Sequence, residues 1–204
     1  MKIKKISDGL FLTNSYIIID KEKCIIIDPG FSGKKIKEEV KDLKIEYILL
    51  THGHLDHIND VYMFNCPIYI HEKDLICFKD LSFSGYYSFN MRPNFDLSKL
   101  KVNTFSNDSE FTLNNYKLKV IQTPGHTKGS VCFLLDDILF SGDTLFKDSI
   151  GRTDLPGGSM IDIRKSILYL LNKLSNNVKI YPGHGDNTTI MYEKENNEYY
   201  LDWR

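Results

Sequence analysis

Thr51-His52-Gly53-His54-Leu55-Asp56-His57 packs three imidazoles and a carboxylate into one heptad. It follows Ile45-Glu46-Tyr47-Ile48-Leu49-Leu50, an apolar run that reads as a buried strand. Ligand-type side chains therefore stand where a strand ends. His52 and His54, two apart, point the same way while the backbone stays extended. Asp56 and His57 fall where the chain turns toward a helix and face a neighbouring point. Such a set suits Zn²⁺, with iron and manganese as alternatives. Surface histidines beside a capping Asp are the plain alternative, but three of the chain's six histidines share this heptad. One short segment can begin two metal sites.

Three further joints repeat the pattern. Val120-Ile121-Gln122-Thr123 precedes Pro124-Gly125-His126-Thr127, Ile138-Leu139-Phe140-Ser141 precedes Gly142-Asp143-Thr144, and Val178-Lys179-Ile180-Tyr181 precedes Pro182-Gly183-His184-Gly185. In each, an apolar strand runs into a Gly or Pro-Gly turn that bends the backbone and delivers one His or Asp. A lone His after Pro-Gly is usually only a turn residue, but the four groups together use five of six histidines. The sixth, His71, has no turn glycine and begins a helical pattern, so it reads as structural.

The 204 residues carry 26 Lys and Arg against 27 Asp and Glu and are 42% hydrophobic. One domain, 1–204, with a substantial core is expected. The near-balanced charge gives no footprint for nucleic acid. No apolar run approaches the roughly 18 residues of a membrane span, and the start Met1-Lys2-Ile3-Lys4-Lys5 lacks a signal peptide's apolar stretch. A cytoplasmic protein without nucleic-acid or membrane partners, a monomer or homodimer, is the expectation. Cys24, Cys66, Cys77 and Cys132 lie apart with no C-x-x-C pair, consistent with free thiols.

The patterning gives strands and then helices, twice. Residues 2–28 read as a meander with a turn at Asp20-Lys21-Glu22, and Lys34 to Leu43 has helical spacing. Asp60–Phe64 and Glu72–Phe78 look like shorter helices. A second strand set runs from Val102 to Phe140, with turns at Asn114-Asn115 and Asp136-Asp137. Met160 to Leu174 is the clearest amphipathic helix, its inner stripe carrying Ile163, Ile167, Leu170, Leu171 and Leu174. Helices covering the outer faces of two packed sheets satisfy this order.

The H-x-H-x-D-H run with its later single His, Asp and His resembles the signature of the metallo-β-lactamase superfamily. The likeness runs from Asp28-Pro29-Gly30 to Gly183-His184-Gly185. Within that family the chain looks most like the short glyoxalase II-like hydroxyacylglutathione hydrolases. Phe140 to Phe146 and the stretch Gly151-Arg152-Thr153-Asp154-Leu155-Pro156-Gly157-Gly158 carry the closer match. The resemblance implies an α/β fold of four layers, an αββα sandwich, with two divalent metal ions, zinc foremost, along one edge. By the family pattern His52, His54 and His126 hold one metal, Asp56, His57 and His184 the second, and Asp143 bridges them. Asp28 would orient a ligating imidazole from behind.

The implied chemistry is hydrolysis of a small thioester, S-lactoylglutathione to D-lactate and glutathione or a relative of it. Two close cations lower the pKa of a shared water, and Asp56 orients the resulting hydroxide. Thr51 and Thr144 read as loop hydrogen-bonders, not nucleophiles. Arg152 stands where the family places a basic residue toward the glutathione glycine carboxylate; an ion pair with Asp154 or Asp148 is equally compatible. Asp154 occupies a position where longer enzymes have a Tyr, and the helical domain those enzymes add is missing. The aromatic stretch Phe83 to Phe89 either walls the cleft or packs on the sandwich, while Tyr199, Tyr200 and Trp203 read as fastening the chain's end. Rival readings are a persulfide dioxygenase with one iron and a non-catalytic metal-binding module. A β-lactamase is disfavoured by the lack of an export signal, and a nuclease by the balanced charge.

Overall fold

The computed structural model describes residues 1–107 and 109–204. Its first sheet is ordered β1 (Lys2–Ser7), β2 (Asn14–Asp20), β3 (Lys23–Ile27), β4 (Lys44–Leu49), β5 (Ile68–His71) and β6 (Val102–Phe105). The first three strands run antiparallel, and β3 to β6 are mutually parallel. The second sheet draws on β7 (Glu110–Leu113), β8 (Tyr116–Gln122), β9 (Val131–Leu135) and β10 (Ile138–Gly142). Past a small ribbon of β11 (Leu145–Phe146) and β12 (Ser149–Ile150), it is completed by β13 (Lys179–Pro182) and β14 (Thr188–Thr189). Its spatial order is β14-β13-β10-β9-β8-β7.

Alternation along the strands sets the layers. Tyr16, Ile18, Ile25, Ile27 and Leu49 of the first sheet meet Leu118, Phe133, Leu135 and Phe140 of the second in one core. Their neighbours face outward: Ile17, Ile26 and Ile48 pack with Ile36 and Val40 at helix α1 (Gly33–Glu39) and with Ile58 of α2 (Leu55–Ile58). Cys132, Leu139 and Ile180 pack under α3 (Met160–Lys173), α4 (Ile190–Asn196) and α5 (Glu198–Trp203). Both faces of the central strands are thus buried, which is why β2 and β3 read as nearly unbroken apolar runs. The outcome is the expected αββα arrangement.

Local signals decide the joints. The hairpin turns carry Lys21, Asn114 and Asp136 in the left-handed region, with φ of 55°, 52° and 52°. Helix α3 begins where Ser159 Oγ accepts from Asp162 N–H at 3.2 Å, with Asp162 in its first turn and Lys173 in its last. Its buried stripe of Ile163, Ile167, Leu170 and Leu171 matches four of the five predicted positions; Leu174 is the C-cap beyond the helix and is half-buried.

Some boundaries differ from expectation. Val102–Phe105 joins the first sheet, because the long connection after β5 returns the chain parallel to it; the second sheet begins only at the β7–β8 hairpin. The helix expected over Lys34–Leu43 closes at Glu39, and the one over Asp60–Phe64 shrinks to a 3₁₀ turn at Val61–Met63. Glu72–Phe78 is also 3₁₀. Among the described residues no helix is long and apolar enough to cross a membrane.

Candidate metal centre

The edge that holds the site follows from strand direction. β3 and β4 are parallel, so Asp28 and Thr51 emerge side by side at their carboxyl ends. β8 and β10 both run antiparallel to β9, and β13 is parallel to β10. The residues after β8, β10 and β13 therefore leave the second sheet at one end. That end of the sandwich is where an α/β fold presents side chains to a ligand.

The structure gathers all seven ligand-type residues there, in two groups whose donor atoms lie within 4.8 Å of one another. His52, His54 and His126 form the first. His54 Nδ1 is 2.8 Å and His52 Nε2 3.2 Å from His126 Nε2. On the opposite side His52 Nδ1 faces Thr51 Oγ1 at 3.1 Å and His126 Nδ1 faces the Arg152 carbonyl at 2.7 Å, while His54 Nε2 is buried without a hydrogen-bond partner. Burial holds His52 well below its ordinary pKa and His54 at about 3. The three rings so placed turn one nitrogen each toward a common point.

Asp56, His57, Asp143 and His184 form the second group. His57 Nε2 is 3.5 Å from Asp56 Oδ2 and 3.3 Å from Asp143 Oδ1; His184 Nε2 is 3.1 Å and 3.4 Å from the Oδ2 atoms of the same two residues. Asp143 Oδ2 also lies 3.6 Å from His126 Nε2, so this carboxylate touches both groups. Burial would lower the His57 pKa, yet the carboxylates of Asp143, Asp56 and Asp28 overcome it and hold the ring well above its usual value. His184 is likewise raised to about 9, burial being outweighed by Asp143 and Asp56. In return Asp143 is held well below the carboxylate range by His57 and His184 despite its burial.

The donor set fits a pair of divalent cations. His57 Nε2 and Asp143 Oδ1 are buried and have no hydrogen-bond partner. Buried polar atoms are normally paired, and these two face each other inside a cluster of further oxygen and nitrogen donors. Borderline imidazole nitrogens with carboxylate oxygens match zinc, iron or manganese.

Surrounding residues fix the donors. Asp28 Oδ1 accepts from Thr51 N–H at 2.8 Å, and its Oδ2 accepts from Thr51 Oγ1 at 2.6 Å and lies 2.9 Å from His57 Nδ1. Thr144 is tied to Thr123 at 2.8 Å, so both threonines beside the ligands are engaged in loop bonds, as expected. Three contacts escaped the sequence reading. Thr13 Oγ1 donates to Asp56 Oδ2 at 3.0 Å. Asn14 Nδ2 donates to the carbonyls of Pro182 and Gly185, each at 2.9 Å, bracketing His184. Asp74 is buried between two ligand loops. None stands in a Gly-rich turn, and each residue type is common elsewhere in the chain, so nothing marked them. A Cβ at Gly183 would lie 2.1 Å from Asp143 Oδ1, so the residue before His184 has to be glycine.

Above the donors opens a cavity of 350 Å³, whose wall includes Phe11, Phe89, Phe146, Ile150, Leu155 and Arg152. Phe89 from the aromatic stretch thus walls the cleft, stacking edge-on against Phe11 with centroids 5.3 Å apart, while Tyr86 from the same stretch is fully buried packing. Arg152 does not reach into the cavity unpaired. Its Nε and Nη2 each donate to Asp154 at 2.7 Å, the ion-pair arrangement. His71 is buried and bonded to Asn107 at 2.8 Å, a structural role. Tyr200 is buried and bonded to Asn172, fastening α5.

The profile described as Metallo-beta-lactamase superfamily matches residues 8–184. The chain belongs to the metallo-β-lactamase superfamily. Among curated relatives of this family member, a probable metallo-hydrolase of Methanocaldococcus jannaschii is 37% identical over 201 residues, covering 90% of this chain and 93% of its own. The crystal structure of the B3 metallo-β-lactamase BLEG-1 superposes with a TM-score of 0.89 at 33% identity, covering 98% of this chain and 99% of that one. The structure of TTHA1623 in a di-iron-bound form gives a TM-score of 0.83 at 29% identity, with 96% and 99% covered.

Proposed function

We propose that this protein is a metal-dependent hydrolase of small thioesters, with S-lactoylglutathione as the reference substrate. His52, His54 and His126 would hold one divalent cation, Asp56, His57 and His184 a second, with Asp143 shared. The observation that carries this reading is the pair of donor groups meeting at Asp143 on the floor of the cavity. Zinc is the first choice of metal, and the di-iron form of TTHA1623 favours iron as the alternative. A complete second group speaks against a centre with a single iron and against a closed structural site.

Bound divalent cations supply an activated water and a Lewis acid for the carbonyl oxygen. The chain's residues do the rest. Asp56, steadied by Thr13, presents its Oδ2 to the cavity and orients the attacking water while accepting a hydrogen bond from it. Phe11, Phe89 and Phe146 pack the substrate and keep bulk water from the reacting carbonyl. No protein nucleophile is needed: Thr51 is bonded to Asp28 and Thr144 to Thr123, and burial pushes the Cys132 thiol up to about 12. Arg152 would meet a substrate carboxylate through its Nε and Nη2 only by exchanging Asp154 for it.

Metal analysis of purified protein, paired with a thiol-release assay on S-lactoylglutathione, tests the reading. Two equivalents of metal and hydrolysis that a chelator abolishes are expected. One equivalent and no thiol release would refute it. The BLEG-1 likeness favours a second reading, opening of a β-lactam ring by the same site. A chromogenic cephalosporin hydrolysed faster than any thioester would establish that one instead, and oxygen uptake with glutathione persulfide would mark a dioxygenase.

A further inference from the structure

Asp74 belongs to neither donor group. It sits in the 3₁₀ turn Glu72–Phe78 after β5 and is only 2% exposed. Its carboxylate accepts three hydrogen bonds, and every donor belongs to a ligand-bearing loop. Oδ2 accepts from Gly53 N–H at 3.1 Å and Thr127 Oγ1 at 2.7 Å, and Oδ1 from Gly129 N–H at 2.7 Å. Gly53 separates His52 from His54, and Thr127 follows His126. Among the described residues Asp74 has no ion-pair partner within 4.0 Å, so these three bonds are what hold it.

The two loops come from different sheets, one after β4 and the other after β8. His54 Nδ1 and His126 Nε2 meet across the two loops at 2.8 Å, so the spacing of the loops sets how the histidines converge. Val131 N–H to the Thr51 carbonyl at 2.9 Å is one tie, and the Asp74 carboxylate is the other. The fit around it is close: a Cβ at Gly129 would lie 2.7 Å from Asp74 Cγ and Oδ1. Two of the three donors are backbone N–H groups on opposite oxygens. Only a carboxylate, which accepts on both sides, satisfies them; an amide would set its NH₂ against one. Burial pushes the Asp74 pKa up, and the bonds from Thr127, Gly129 and Gly53 work against that rise.

We propose that Asp74 is a positioning residue of the metal centre, fixing the spacing of His52 and His54 from His126 and so the affinity of that group for its cation. Asp74 touches neither cation nor substrate. The proposal rests on the reading that these three histidines hold a metal.

The test uses the full-length metal-free chain titrated with Co²⁺ against a chromophoric chelator, following cobalt absorption, with thermal unfolding recorded alongside. The parent should bind two Co²⁺, and the band missing in His54→Ala identifies the first group. Asp74→Asn should lose about 10- to 100-fold in affinity at that band and shift its absorption, the usual range for residues that orient ligands. The other band should stay as it is. Asp80→Asn removes a half-buried carboxylate nearby that is bonded only to Ser82, and should change neither band. If Asp74→Asn binds both ions with parental affinity and spectrum, even with a lower melting temperature, Asp74 is merely structural and the proposal falls. Should that variant not fold, Thr127→Val removes one donor and should weaken the same band by a smaller factor; an unchanged band overturns the proposal equally. A parent that binds no cobalt at the three histidines refutes the site reading itself.

Discussion

Asp28 Oδ2 lies 2.9 Å from Nδ1 of His57, behind the ring as seen from the cavity. The opposite nitrogen, Nε2, is the one that faces Asp143 and Asp56. Asp28 thus sets the tautomer and the aim of the imidazole, and it does so from a left-handed backbone with φ of 49°.

Replacing Asp28 by Ala should therefore cost the Asp56, His57 and His184 group about 10- to 100-fold in metal affinity. The first histidine group, which Asp28 reaches only through Thr51 and His52, should be weakened less. Competitive chelator titration reads both values, and equal weakening of the two would show Asp28 to act on the whole loop edge instead.

Asp143→Ala should abolish hydrolysis, because both donor groups lose the one carboxylate they share. Asp136→Ala makes the contrast. That residue lies in the β9–β10 turn with φ of 52° and contacts neither group. Similar activity in the two variants would contradict the shared role.

Arg152 offers a comparison of substrate affinities. With its Nε and Nη2 given to Asp154, Arg152→Ala should change KM for S-lactoylglutathione by less than about threefold, since an exposed pair holds the head in place. Asp154→Ala frees the guanidinium and should lower KM by a similar or larger factor, leaving kcat alone. A large rise in KM for Arg152→Ala would mean that substrate displaces Asp154.

Thiol reactivity follows from burial. Burial raises the Cys66 thiol to about 11, and raises Cys24 and Cys132 to about 12. At pH 8 Cys66 is about one part in a thousand thiolate, and the fraction grows tenfold per pH unit until it nears 11. Native protein treated with iodoacetamide should be alkylated slowly, at half-buried Cys66 before Cys24 and Cys132, as peptide mass mapping would show. Rapid labelling of Cys132 at pH 8 would point to an opened second sheet.

The legible part of the site was the part made of rare residues in turns. Five histidines and Asp143 each follow an apolar strand and a bend, so the chain itself marks where they emerge. Asp28, which stands before its Pro29-Gly30 turn, was legible only through the family resemblance. Asp74 carried no mark: in Glu72-Lys73-Asp74 it reads as a solvated helix start, and only the approach of Gly53 and Gly129 from distant segments gives it meaning. Thr13 and Asn14 were hidden for the same reason, their partners lying 43 and up to 171 residues away. The layers were legible from alternation, but the sheet that receives Val102–Phe105 was not, since an edge strand of mixed exposure packs equally well on either.

The first sheet uses residues 2–105 and the second 110–189, one after the other along the chain. Synthesis therefore releases the first sheet whole, with His52, His54, Asp56 and His57 already at its edge, long before His126, Asp143 and His184 emerge. A growing chain has only half of each cation's donors to offer. On the proposed ligand set, capture of metal with full affinity has to wait for the turn after β13, and a bound ion would clasp the two halves together.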